Sequence, residues 1–216
     1  MAIEKFTTRG LILNQYIYGE HDVMIKAYTE DFGVIMVLAK SLRKRESKLK
    51  AHVRKYHYVS LTIVKGREIY RLTGATEILF NNKKQNLIAE ISKLIERLYG
   101  GEIKQASLFN KIFNYIQHYH TNKSHINYHT NKNHISYNSK EPSDLEGQHG
   151  AGYNIYRMAI YSIILIELGH MDAEVLGIGD IKEYKAMTED VMLLNVSLYR
   201  HNINKELHRA IRESML

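Results

Sequence analysis

Cysteine is absent from the 216 residues. That removes disulfide frameworks, Cys-ligated zinc and thiol catalysis, together with the usual sign of an oxidising compartment. The expected address is the cytoplasm. Long apolar runs are missing too: the longest uncharged one, Met158 to Ile166, is fenced by Arg157 and Glu167 and falls far short of the ~20 residues a membrane span requires. It reads as a buried helix, and no membrane association is expected. The opening MAIEKFTTRG lacks the apolar stretch of a signal peptide. There is no glycine-rich phosphate loop, no G-x-S-x-G, no H-E-x-x-H and no carboxylate pair in a recognisable signature. A binding protein without cofactor is expected, not an enzyme.

What is present is ordinary in amount and uneven in placement. Apolar residues make up 44% and charged residues 25%, which fits a folded globular chain and neither a disordered nor a fibrous one. The net charge is +7, the signature of a polyanionic partner. Residues 1–80 hold 14 Lys and Arg against 8 Asp and Glu, whereas residues 81–216 hold 16 against 15, so the excess belongs to the first part. Within it, Lys40, Arg43, Lys44, Arg45, Lys48, Lys50, Arg54 and Lys55 face a single acid, Glu46. A charge run is commonly no more than a solvated face. At this density the like charges repel one another, and an anion that neutralises them relieves the repulsion.

The first eighty residues carry the period of strands. Leu11, Leu13 and Ile17 alternate with Asn14 and Tyr16; Val23, Ile25 and Ala27 alternate with Met24, Lys26 and Tyr28; Gly33 to Ala39 is a short continuous apolar run. Turn residues at Gly19 to Asp22 and Glu30 to Gly33 join them. A long run from His52 to Val64, a tight turn at Lys65 and Gly66, and a last run from Glu68 to Leu79 complete five strands, with the basic segment between the third and fourth. This pattern predicts a small closed barrel of the OB type.

From Asn81 the period becomes helical. Leu87, Ile91, Leu94, Ile95 and Leu98 form one segment ending at Gly100 and Gly101; Leu108, Ile112, Tyr115 and Ile116 form a second; Tyr153 to Leu168 forms a third, stopped by Gly169; a fourth is expected to start near Thr188. The expected architecture is α+β: an OB-fold domain over 1–80 followed by an all-α domain over 81–216. Between the second and third helices, Tyr119 to Asn127 (YHTNKSHIN) recurs as Tyr128 to Ser136 (YHTNKNHIS), and six of the twelve histidines fall between His118 and His149. Histidines spaced five apart, without carboxylate or cysteine companions, make a poor metal frame. A disordered low-complexity loop at about 118–152, containing the only proline, Pro142, is expected.

Two smaller constellations bear on chemistry. Glu20, His21 and Asp22 carry metal-ligating side chains, but a turn between strands accounts for them equally. In the run from His52, if Val59, Leu61 and Ile63 face inward then Arg54, Tyr56 and Tyr58 face outward. They would form a stacking surface for unpaired bases, unless a tyrosine instead closes the barrel end. Because the dense cations sit on a connection and not on a groove-reading helix, binding is expected to tolerate sequence and to depend strongly on salt.

The runs T-R-G-L-I-L (Thr8 to Leu13), Y-G-E-H-D (Tyr18 to Asp22), F-G-V (Phe32 to Val34), A-K-S-L-R-K (Ala39 to Lys44) with Ser47 and Lys48, and E-I-Y-R-L-T-G-A-T-E (Glu68 to Glu77) resemble the N-terminal domain of the bacterial recombination mediator RecO family. E-L-G-H (Glu167 to His170) and N-K-E-L-H-R-A-I-R (Asn204 to Arg212) fit later helices of that family. The resemblance implies an OB-fold and a helical domain, and binding of single- and double-stranded DNA. It also implies annealing of complementary strands, and partnership with RecR, RecA and single-stranded-DNA-binding protein in repair at the nucleoid. It carries DNA contact to Lys40, Arg43, Lys44, Arg45, Lys48 and Lys50, to which the strand pattern adds Arg54 and Tyr56. It also points to Arg157 as a base in a partner-docking groove. The chain departs from the family in lacking the four-cysteine zinc element that many members carry, so the stretch Met171 to Met187 must hold by packing or stay loose, and in its duplicated histidine tract. The rival reading is an RNA-binding OB protein of translation or ribosome assembly; an adaptor for an acidic protein is another.

Overall fold

A computed structural model describes residues 4–79, 85–99, 101–118, 150–178, 192, 195–196 and 198–213. The histidine tract and the helix start near Thr188 lie outside the described residues.

The strands are β1 (Lys5–Tyr18), β2 (Asp22–Thr29), β3 (Gly33–Ala39), β4 (Tyr58–Lys65) and β5 (Tyr70–Leu79), closed into a barrel in the order β1-β2-β3-β5-β4. All neighbours are antiparallel except β3 and β5, whose parallel pairing closes the wall. Strand β1 serves two partners: its first half pairs with β4 and its second with β2. A bulge between Ile12 and Asn14 bends it from one to the other.

Burial follows from that bend. Ile12 points into the barrel with Ile25, Ala27, Val37, Leu61 and Ile63, while Leu11 and Leu13 point outward into a second core built largely of helices. Three consecutive residues are therefore buried, because both faces of the strand are covered.

Helices α1 (Gln85–Leu98), α2 (Ala106–His118), α3 (Gly150–Glu167) and α4 (Arg200–Glu213) follow the barrel. Leu87, Ile88, Ile91, Leu94 and Ile95 give α1 one buried stripe. After α3 the chain stops at Gly169, whose φ of 75° is left-handed, and the His170 N–H donates back to the Leu165 carbonyl at 2.7 Å. Beyond it, Met171, Leu176 and Ile178 are buried around a 3-10 turn at Ala173–Leu176, so this part of the cysteine-free stretch holds by packing.

Barrel and helices share one contact surface. Tyr28 packs against Tyr99 and Phe109 at ring separations of 5.1 and 5.4 Å, and Tyr58 against Phe113 at 5.2 Å. Beside them Arg9 of β1 donates two bonds to the Glu30 carboxylate, at 2.8 and 2.7 Å, and a third to Asn110 of α2. Its guanidinium also lies over the Phe113 ring at 5.2 Å. The α1–α2 connection rests on the β2–β3 turn: the Val34 N–H donates to the Gly101 carbonyl at 3.1 Å. Gly33 must be glycine there, since its φ is +69° and a Cβ would meet the Ile103 carbonyl at 2.4 Å.

Candidate nucleic-acid interface

The connection from β3 to β4, residues 40–57, spans the end of the barrel. Its start hangs from the β1–β2 turn: the Ser41 N–H donates to Asp22 Oδ1 at 2.7 Å, and Arg43 donates its N–H to the His21 carbonyl and a guanidinium N–H to the Glu20 carbonyl, each at 2.9 Å. The polar residues of that turn therefore anchor a loop, and among the described residues no three His, Asp or Glu gather as metal ligands. The far end is stitched to β1: the Tyr56 N–H donates to the Ile12 carbonyl at 2.8 Å, and the Ile12 N–H to the His57 carbonyl at 3.0 Å.

Between these ends Leu42 and Val53 turn inward and join the barrel core. The polar residues between them are thereby forced outward. A 3-10 turn at Lys48–Ala51 tightens the middle. Lys40, Arg43, Lys44, Arg45, Lys48, Lys50, Arg54 and Lys55 are all exposed. Among the described residues Lys40, Lys44, Arg45, Lys48 and Lys50 have no carboxylate in salt-bridge reach. Arg54 differs, since it approaches Glu77 at 3.8 Å and donates to the Ala51 carbonyl.

The outward face expected at Arg54, Tyr56 and Tyr58 is not formed. Strand β4 begins at Tyr58 and not at His52, so strand parity does not run through Arg54 and Tyr56, and Tyr56 has a left-handed φ of 68°. Tyr56 is half-buried with the Lys55 ammonium 4.9 Å from its ring. Tyr58 does point out of the barrel, but helix α2 covers it, leaving 1% of it exposed, so no base can stack on it. Burial pushes its hydroxyl pKa far up.

Arg157 is not among the cations of the connection. It lies on α3, where its Nε is 3.4 Å from Glu90 of α1, the carboxylate that also accepts from Tyr161 at 3.1 Å, and its guanidinium lies over the Tyr161 ring.

Beneath the connection is a groove of about 540 Å³, floored by Val23, Leu42 and Val53 and rimmed by Arg43, Lys50 and Arg54. Sequence periodicity did not reveal it, because its walls come from β1, β2 and both ends of the connection. Tyr16 and Tyr18 stand on the opposite face of the same hairpin from Gln15 and Ile17. There the Tyr16 hydroxyl donates to Glu96 at 3.0 Å and Lys26 lies 3.4 Å from the same oxygen. Burial raises the Glu96 pKa, but bonds from Tyr16 and Asn14 and the charge of Lys26 outweigh it, and the net displacement is downward.

A five-stranded barrel in this order, closed by one parallel pair, defines an OB-fold protein. Residues 1–79 match the family described as Recombination protein O N terminal. The chain is 28% identical over 109 residues to the DNA repair protein RecO of Alkaliphilus metalliredigens, a match covering 50% of this chain and 44% of that protein. It is 36% identical over 73 residues to the RecO of Dehalococcoides mccartyi, and 29% identical over 73 residues to that of Rubrobacter xylanophilus; each match covers 34% of this chain and 29% of the relative. The first 79 residues are thus similar to the N-terminal domain of the RecO family. The matched stretch spans less than half the length of these relatives.

Proposed function

We propose that this protein is a non-enzymatic DNA repair mediator that binds and anneals single-stranded DNA and assists recombinase loading. The observation that carries the proposal is the outward display of Lys40, Lys44, Arg45, Lys48 and Lys50, without carboxylate partners among the described residues, on a loop tied down at both ends. Two complementary strands repel each other through their phosphates until that charge is screened. A fixed cluster of cations replaces the condensed counterions of both strands and lets the bases meet, with no bond made or broken by the protein. The cations are exposed and lie on a loop, so the contact is with phosphates and tolerates sequence.

The names of the relatives support a role in DNA repair. Within that role the helices would present the surface for RecR, RecA and single-stranded-DNA-binding protein, and the protein would act in the cytoplasm at the nucleoid. Among the described residues no helix is long and apolar enough to cross a membrane.

The test is annealing of two complementary oligonucleotides, bare and coated with single-stranded-DNA-binding protein, at two salt concentrations. Acceleration that falls steeply with salt is expected. Absence of annealing with salt-independent binding would overturn the proposal, and RNA that displaces DNA at equal concentration would transfer it to the RNA-binding reading, since only contacts to the 2′-hydroxyl tell the two polymers apart.

A further inference from the structure

The groove under the cationic connection has a composition that phosphate binding alone does not need. Its floor is Val23, Leu42 and Val53, all at least nine-tenths buried, and a phosphate gains nothing from such a surface. We propose that it is a subsite for one unpaired nucleobase, with Arg43 and Lys50 at its rim on the flanking phosphates; this rests on the DNA-binding reading above.

Strand register extends the floor. Ile17 pairs with Val23 across β1 and β2, so both stand on the same face of the sheet. Ile17 is nonetheless 74% exposed, because it lies past the end of the barrel core. An exposed isoleucine beside the groove, in line with its buried floor, offers apolar contact where a planar base would enter. The volume of about 540 Å³ lies within the roughly 300–1,000 Å³ of ordinary small-molecule sites and suits a single nucleotide unit.

Charge selects the occupant. Lys44, Lys48 and Lys50 lie along one short stretch, and a nucleotide chain brings one charge per repeat unit to meet them, each followed by an uncharged base for the floor. The Gln15 amide is already committed to the Val53 carbonyl. Contact through an apolar floor follows the face of a base and not its edge, so the subsite accepts any base. In a duplex the bases are stacked and paired, and only phosphates reach the loop. The subsite therefore confers preference for single strands.

The test uses the full chain with Ala51→Phe and, separately, Ser47→Phe, each placing an aromatic ring in the groove from its lining. Binding is measured to a single strand carrying 2-aminopurine and to the matching duplex. Filling the groove is expected to weaken single-strand binding roughly tenfold, the scale of one lost base contact. It should also remove the 2-aminopurine fluorescence change and leave duplex affinity and the salt slope as they were. Wild-type single-strand affinity in both variants would overturn the subsite, as would equal loss on single strand and duplex. So would displacement of 2-aminopurine from the groove by an acidic apolar peptide while the DNA stays bound. Failure of the wild-type chain to bind either DNA would instead remove the DNA-binding reading itself.

Discussion

The backbone N–H of Ser41 donates to Oδ1 of Asp22 at 2.7 Å, fixing the cationic connection to the first residue of β2. Ser41 has a φ of 55°, a left-handed conformation that costs a non-glycine residue about 1–2 kcal/mol. The bond to a carboxylate offsets that cost. Asp22→Ala should free the start of the loop and weaken DNA binding by about three- to tenfold through lost preorganisation. Every cation is retained, so the salt dependence should keep its slope. Fluorescence anisotropy across a salt series checks both, and a changed slope would show that Asp22 acts through its charge.

Replacing Arg43, Lys44 and Lys48 together with alanine should have the opposite signature. Neutralising phosphates releases counterions, and the slope of log affinity against log salt falls by about 0.7 to 0.9 for each contact removed. A triple variant should therefore flatten the slope by roughly 2 to 3 as affinity drops. The side chains are exposed and make no carboxylate pair, and the one bond lost, from the Arg43 guanidinium to the Glu20 carbonyl, lies at the surface, so the melting temperature should fall only slightly. An unchanged slope would show that these residues do not touch the polymer.

Tyr58 should matter to stability and not to stacking. Its ring lies against Phe109 and Phe113, with 1% of the residue exposed. Tyr58→Ala leaves a large cavity where barrel meets helix, and a loss of about 3–5 kcal/mol is expected in denaturant unfolding. Tyr28, buried in the same place, has a hydroxyl with no hydrogen-bond partner among the described residues. Tyr28→Phe should be neutral or stabilise by about 1 kcal/mol, because it removes a desolvated, unpaired group. A marked loss of stability in Tyr28→Phe would mean that the hydroxyl has a partner after all.

The same tyrosine marks where the sequence stops being readable. The five strands and the hairpins joining the first three follow from alternation and turn residues, since both are local, whereas the β1–β4 and parallel β3–β5 pairings that close the wall are long-range. The start of β4 does not: the chain reverses through a 3-10 turn at Lys48–Ala51 and a left-handed Tyr56, which no glycine announces. Outwardness from the barrel was legible at Tyr58, but exposure was not, because Phe109 and Phe113 cover it from about fifty residues downstream. Glu20, His21 and Asp22 were legible as a turn, while their work as an anchor depends on Ser41 and Arg43, which only the fold brings near. The cations themselves were plain in the sequence; that Leu42 and Val53 between them plug the barrel, and leave a groove, was not.

Acid should loosen the junction of barrel and helices before it touches the cations. Bonds from Arg9, then from Asn110, hold the Glu30 carboxyl below its ordinary pKa of 4.5, against a smaller upward push from burial. A carboxylate depressed in the folded state contributes stability that is complete above its unfolded pKa and is lost as pH falls through the folded one. Unfolding should thus become easier as pH drops below about 4.5, and the Arg9 guanidinium, itself raised by its bond to Glu30, stays charged throughout. Glu30→Gln cannot be protonated, and its melting temperature should be lower than the parent's at pH 7 and should converge with it at acid pH. Parallel melting curves for the two proteins across that window would place the acid sensitivity elsewhere. Glu96 is the first residue to test in that event, because bonds from Tyr16 and Asn14 and the charge of Lys26 outweigh burial and depress its carboxyl in the same direction.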